Sequence, residues 1–237
     1  MLAKFTPFGK HNVGKTTVLR ILTYLLYLKA DPKCYVHFQR TKTNDRGKIY
    51  NTPSFLPVST IFKQRGKDKS ADWRISFNTI IPVEGIDKSV RIAIATIGDI
   101  EEEIVKNWDF SYNNYIYKLP SSEPAFIKPD FFISPCSEGR AQEEEKLEQN
   151  WHIQNGNMID FLYWFRLPIE DNLRMLLDKK EWGRDIHKLY EELEKNRVFD
   201  AGKRASSTKK MSLQNKMDSI KIALLIESKI QELVKIF

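Results

Sequence analysis

The residue types with the clearest chemistry form a short glycine-rich stretch near the N-terminus. It reads Gly9-Lys10-His11-Asn12-Val13-Gly14-Lys15-Thr16 and fits the pattern G-x-x-x-x-G-K-[ST] at each fixed position. Glycines let successive backbone N–H groups turn inward and surround an anion, and a helix that follows directs its positive end at that anion. We expect this stretch, together with Thr17, to bind the phosphates of a nucleoside triphosphate.

Two side chains of this stretch have specific expected roles. Lys15 is predicted to bridge the β- and γ-phosphates, and so to act both in binding and in catalysis. The Thr16 hydroxyl is predicted to be a ligand of Mg²⁺. The expected cofactors are therefore Mg²⁺ and ATP, with GTP as the alternative nucleotide.

The magnesium ion also needs a carboxylate, and its position along the chain decides the candidate. Ligands collect at the carboxyl ends of the strands in open α/β sheets. Asp99 follows the apolar segment 90–97 and is therefore the predicted metal and catalytic carboxylate, whereas Asp130 precedes its strand and would lie at the wrong edge. Asp99 could instead, or in addition, cap a helix that begins near Glu101.

The pattern around the stretch predicts a strand, a loop and a helix in that order. Residues 2–8 are mostly apolar, and 16–29 carry apolar residues at helical spacing. Further strands are predicted at 34–38, 74–80, 90–97 and 130–134, and a helix at 101–108. The alternation in 74–80 predicts an edge strand beside a buried central one. This order favours an α/β fold with a mostly parallel sheet and flanking helices.

The second half of the chain is predicted to be helical. We expect helices within 143–150, 158–165, 172–196 and 212–237. The aromatic cluster Trp151, Phe161, Tyr163, Trp164 and Phe165 is interpreted as core at helical spacing, with base stacking as the alternative. We divide the chain into a nucleotide-binding core (1–137), a helical insertion or lid (138–200), a basic linker (201–211) and a C-terminal helix that packs back on the core (212–237).

Composition limits the classes of protein and partner. The formal net charge of +7 suits nucleotide phosphates or nucleic acid, although a solvated lysine-rich surface explains it as well. The two cysteines are far apart, which favours a reduced, cytoplasmic protein. The apolar runs fall well short of the roughly 20 residues that span a bilayer, so no membrane partner is expected.

With its strand before and helix after, the stretch resembles the Walker A motif of P-loop NTPases. Gly9-Lys10-x-x-Val13-Gly14-Lys15-Thr16-Thr17 is also similar to the deviant Walker A of ParA/MinD-type ATPases. In that family a lysine at the place of Lys10 reaches the partner's nucleotide, which implies a homodimer. Asn215-Lys216-Met217-Asp218 has the letters of the guanine-reading motif of GTPases, but it does not close an apolar strand, so we interpret the match as accidental.

These observations lead to a functional hypothesis with two alternatives. We expect an Mg²⁺-dependent NTPase that hydrolyses ATP and thereby switches the binding of a protein or nucleic-acid partner. One alternative is a small-molecule or nucleotide kinase, in which Arg140, Arg166 or Arg174 would serve a helical lid. The other is a nucleotide-gated interaction module with little hydrolysis.

Overall fold

The computed structural model describes nine stretches of the chain. These are residues 3–9, 13–31, 36–40, 48–50, 73–95, 129–137, 159–165, 185–199 and 213–236. The predictions for Lys10, His11, Asn12 and Asp99, for the helix at 101–108, and for the linker at 201–211 lie outside the described residues.

The predicted strand and helix around the glycine-rich stretch are confirmed. Strand β1 spans Ala3–Gly9 and is buried along its whole length. Helix α1 spans Lys15–Tyr27 and is buried on nearly every side, as its run of Leu, Ile and Val residues requires. We call residues 9–14, from the last residue of β1 to the residue before α1, the glycine loop.

Seven further strands among the described residues belong to the same sheet as β1. They are β2 (Val36–Arg40), β3 (Lys48–Tyr50), β4 (Trp73–Val83), β5 (Ile86–Ala95), β6 (Phe131–Ile133), β7 (Cys136–Ser137) and β8 (Ile159–Trp164). The eight strands form one sheet in which β1 has neighbours on both sides. The predicted strands at 34–38, 90–97 and 130–134 correspond to β2, β5 and β6.

Strands β6 and β7 act as one interrupted strand along one side of β1. Ala3 pairs with Phe131 and Phe8 with Cys136, in one continuous parallel register. Pro135 interrupts the ladder, because proline has no N–H to donate. Strand β8 pairs in parallel with the same residues of β1, from Ala3 to Phe8, and therefore lies on its other side.

The sheet is mixed, so the prediction of a mostly parallel sheet holds only for the part around β1. There β5, β6, β1 and β8 all run in one direction. Strand β4 pairs antiparallel with both β2 and β5, so the expectation that 74–80 forms an edge strand was wrong. The alternation instead separates a fully buried face, which includes Ile75 and Phe77, from a face on which Ser76 is buried and Asn78 and Ile80 are half-buried.

The predicted helix at 158–165 was also wrong, since this segment contains β8. Phe161, Tyr163 and Phe165 alternate along it and pack against the core that also contains α1. A run of eight residues is too short for its period to separate a strand from a buried helical segment. Residues 138–200 are therefore not a purely helical insertion, because 159–164 belong to the sheet.

Among the residues that the structure describes, three helices pack into one core with this sheet. Besides α1, they are α2 (Ile186–Lys195) and α3 (Leu213–Ile236), and α3 confirms the predicted C-terminal helix. Helix α3 packs along α1. Its Ser219 lies at the start of α1 and its buried Glu227 forms an ion pair of 3.1 Å with Lys29 just after the end of α1, so the two helices run in the same direction.

Helix α2 is held against α1 by a buried arginine. Arg20 Nε donates to the Val198 carbonyl at 2.6 Å, and Arg20 Nη2 donates to the Arg197 carbonyl at 2.8 Å. These carbonyls follow the C-terminal end of α2, where the helix dipole favours a positive charge. Since Glu192 of α2 bonds to Tyr24, farther along α1, the two helices run antiparallel, and the residues just after α2 lie beside Arg20 in the middle of α1.

Candidate functional site

The glycine loop begins and ends on backbone conformations that favour glycine. Gly9 has a φ of 153°, and Gly14 has a φ of 119° and a ψ of 8°. Gly14 is the N-cap of α1, and its carbonyl accepts the first helical hydrogen bond, from Val18 N at 3.0 Å. Two glycines at these points let the backbone leave β1 and enter α1 within a very short connection.

Lys15 joins the two ends of the loop. Its side chain is 5% exposed, and its Nζ donates to the Gly9 carbonyl at 2.8 Å. The bond crosses from the first turn of α1 back to the last residue of β1. It therefore holds a positive charge beside the loop rather than extended into solvent.

The start of α1 has the features of an anion site. The N-cap, Gly14, supplies no capping side chain, and the first turn contains no acidic residue. The first N–H groups of a helix have no partner within the helix and carry its positive dipole end. Together with the Lys15 ammonium, this end of α1 suits a phosphate group better than a cation or an apolar ligand.

The two threonines that follow Lys15 differ in exposure. Thr16 is exposed, whereas Thr17 is 3% exposed. An accessible hydroxyl at Thr16 suits the predicted metal ligand. Within the described residues there is no group of three or more His, Cys, Asp or Glu that could hold a metal ion. A magnesium–nucleotide site does not require one, because Mg²⁺ takes most of its ligands from water and phosphate.

The parallel strands around β1 all end at the edge of the sheet where the glycine loop lies. Phe8 pairs with Cys136 of β7 and with Trp164 of β8, and Ile94 of β5 pairs with Ile133. Strand β5 therefore runs toward this edge, as the prediction for Asp99 requires. Asp99 comes four residues after the end of β5 and stays a prediction.

Asp130 lies at the opposite edge, as predicted. Its carbonyl accepts a hydrogen bond from the N–H of Ala3, the first residue of β1. Its side-chain Oδ2 accepts from the Arg91 backbone N–H at 2.8 Å. Asp130 thus fixes the register of strands far from the glycine loop, and it cannot serve a metal there.

Phe165 lies beside Gly9 of the glycine loop, a position that the sequence did not predict. A Cβ added at Gly9 would lie 3.3 Å from Phe165 Cβ and 3.5 Å from Val13 Cγ2. The Phe165 N–H donates to the Phe8 carbonyl at 3.1 Å and so extends the pairing of β8 with β1. The period-two alternation of aromatic residues in 161–165 was the signal for this strand, and it was assigned to a helix instead.

Helix α3 lies against the other end of the glycine loop, at Gly14. The Ser219 hydroxyl, which is fully buried, lies 2.7 Å from the Asn215 carbonyl and 3.4 Å from the Gly14 carbonyl. One hydroxyl proton serves these two acceptors, and the shorter contact is the bond within α3. The longer contact brings α3 against the end of the loop.

Comparison of the chain with protein-family models, with curated proteins and with solved structures gave no match. In the part of the chain that the structure describes, no helix is long and apolar enough to cross a membrane.

Proposed function

We propose that this chain is an Mg²⁺-dependent P-loop nucleoside triphosphatase that binds and hydrolyses ATP. The observation that carries the proposal is the position of Lys15, whose ammonium bonds across the glycine loop to Gly9 at the uncapped start of α1. A fixed cation and a set of helix N–H groups at one point form a site for a polyphosphate.

Different groups of the loop and of the first turn of α1 would bind different parts of the triphosphate. Backbone N–H groups at Gly14 and in the first turn of α1 would donate to phosphate oxygens. Lys15 would exchange its bond to the Gly9 carbonyl for bonds to the β- and γ-phosphates, where negative charge develops during transfer. Mg²⁺ would supply positive charge that offsets the negative charge of the phosphates. Thr16 and, on our prediction, Asp99 would hold it, with Asp99 also orienting the attacking water.

The helical layer supports a role as a switch. Ser219 of α3 lies against Gly14, and Arg20 of α1 holds the end of α2. A movement of the loop on nucleotide binding would therefore reach both helices. We propose that these helices change the binding of a protein or nucleic-acid partner, and that Lys10 contributes to a homodimer if the resemblance to ParA/MinD-type ATPases extends to it.

The test is incubation of the full chain with Mg²⁺ and ATP labelled on the γ-phosphate. We expect labelled phosphate to be released, and we expect Lys15→Ala to abolish both binding and release. Lys235→Ala removes an exposed lysine near the end of α3 and is the matched control. Unchanged nucleotide binding by Lys15→Ala would disprove the proposal. Transfer of label to an added nucleoside would indicate a kinase, and retention without release would indicate a nucleotide-gated module.

A further inference from the structure

Because residues 159–164 form a strand that pairs with β1, the aromatic residues at the end of β8 lie near Gly9. Phe165 follows the carboxyl end of β8, at the sheet edge where the glycine loop lies. It is half-buried, and its Cβ lies 3.3 Å from the place that a Gly9 Cβ would occupy. Phe165 is therefore a partly accessible aromatic residue beside the loop.

The order of the strands places different elements on the two sides of β1 and of the loop that follows it. Strand β5, which leads to the predicted metal carboxylate, lies on the β6 side of β1, whereas β8 lies on the other side. If the predicted carboxylate beyond β5 holds the metal of the nucleotide, the γ end of the ligand would lie on the β5 side of the loop. The nucleoside end would then leave the loop on the β8 side, which is where Phe165 lies.

Helix α3 bounds the same side. The Lys229 ammonium lies 5.4 Å from the centre of the Phe161 ring, so α3 passes over β8. The contact between Ser219 and Gly14 shows that Ser219 is the part of α3 that lies level with the end of the loop. Since α3 begins six residues before Ser219, its first turns extend about 9 Å beyond that contact. The β8 side of the loop thus has an aromatic residue on the sheet and a helix beside it.

From this arrangement we propose that Phe165 receives the nucleoside part of the ligand, with its ring against the face of the base. The inference rests on the proposed function, because it needs a triphosphate in the glycine loop. Every nucleobase has a π-face, so stacking on an aromatic side chain strengthens the binding of any base. Phe165 therefore adds affinity for a nucleotide over a bare polyphosphate.

The experiment compares the binding of ATP with the binding of inorganic tripolyphosphate, both with Mg²⁺, by titration calorimetry. Phe165→Leu keeps the Cβ that packs near Gly9 and removes the aromatic face. We expect it to weaken ATP binding about tenfold and to leave tripolyphosphate binding within about twofold. Phe165→Trp should restore ATP binding, because it restores an aromatic face.

The matched control is Phe161→Leu. Phe161 lies on the same strand and the same face as Phe165, but it pairs with Phe5, farther from the loop, and stacks on that ring with centroids 5.4 Å apart. We expect Phe161→Leu to lower the free energy of unfolding while leaving the ratio of ATP to tripolyphosphate affinity unchanged.

Each other outcome overturns the inference in a recognisable way. Equal weakening of both ligands by Phe165→Leu would show that Phe165 only supports the loop. No weakening of either, or a wild-type protein that binds ATP no more tightly than tripolyphosphate, would show that no nucleoside contact exists there. If the wild-type protein binds neither ligand, the proposed function itself fails.

Discussion

Two glycines with positive φ lie at opposite edges of the sheet, and they are required for different reasons. Gly85 has a φ of 82° in the tight turn between β4 and β5, and a Cβ there would meet nothing within 4 Å. Gly9 ends β1 at the loop, and a Cβ there would press on Phe165. Gly85 is needed only to turn the backbone, whereas Gly9 is also needed to let other groups come close.

The parallel and antiparallel parts of the sheet differ in the same way, since one lies at the proposed site and the other supports the fold. In the parallel part, β5, β6, β1 and β8 bring their carboxyl ends to one edge, where backbone and side chains can surround a ligand. In the antiparallel part, β4 pairs with β2 and β5 and supports the helices: Thr79 Oγ1 donates to the Leu26 carbonyl at 2.9 Å. One part of the sheet thus forms the site, and the other stabilises the fold around it.

Substitution of the two glycines should show the largest contrast. Gly9→Val places a branched side chain against Phe165 and Val13, and we expect ATP hydrolysis to fall on the order of 100-fold, as for a displacement of about 1 Å in a reacting group. Gly85→Ala should leave hydrolysis unchanged and cost about 1 kcal/mol of stability, because a left-handed conformation is unfavourable for alanine. Hydrolysis rates and urea unfolding measure the two effects. Normal hydrolysis by Gly9→Val would contradict the distinction.

A smaller effect is expected from removing either of two cations that donate to backbone carbonyls in or just after a helix. Arg20 is buried and donates to two carbonyls, so Arg20→Ala should cost roughly 2–3 kcal/mol. Lys88 of β5 is half-buried and donates to one carbonyl, that of Val234, at 3.0 Å, so Lys88→Ala should cost roughly 0.5–1 kcal/mol. Equilibrium unfolding in urea measures both values. Equal losses of stability in the two variants would show that the hydrogen bonds of Arg20 between α1 and α2 contribute no more than the hydrogen bond of Lys88 near the end of α3.

The smallest effect concerns pH and the contact between α2 and α3. Hydrogen bonds from Lys216, at 2.6 Å, and from Tyr190, at 2.7 Å, lower the pKa of Glu194. A carboxylate with a lowered pKa stabilises the fold above its unfolded pKa, and this contribution is lost as the pH falls through its folded pKa. The melting temperature of the wild-type protein should exceed that of Glu194→Gln at pH 7; the difference should shrink once the pH falls below about 4.3, the ordinary pKa of a glutamate, and disappear below the lowered pKa of Glu194. A difference that does not change with pH would assign the effect to packing.

The sequence predicted the elements whose patterns are long and continuous. The apolar residues of α1 and α3 repeat over many turns, and β1 is identified by the glycine loop that follows it. The same motif located Lys15 and Gly9, because its spacing reflects a local geometry. The edge at which Asp130 lies followed from its place before β6, since the direction of a strand is fixed by the chain.

The remaining features depend on contacts between distant parts of the chain. The segment that forms β8 is too short for its period to be decisive, and only its pairing with β1 makes it a strand. Phe165 becomes a neighbour of Gly9 through that pairing, and Arg20 reaches the Val198 carbonyl across 178 positions of sequence. No local pattern encodes either contact.

The most direct test of the central claim is an amide NMR titration of the full chain with ATP and Mg²⁺. Binding in the glycine loop predicts large chemical-shift changes at the backbone N–H groups of Gly14, Lys15 and Thr16, and unchanged shifts at Glu84 and Gly85 in the turn at the opposite edge. Shifts that change equally at both places, or that leave the loop unaffected, would contradict the account.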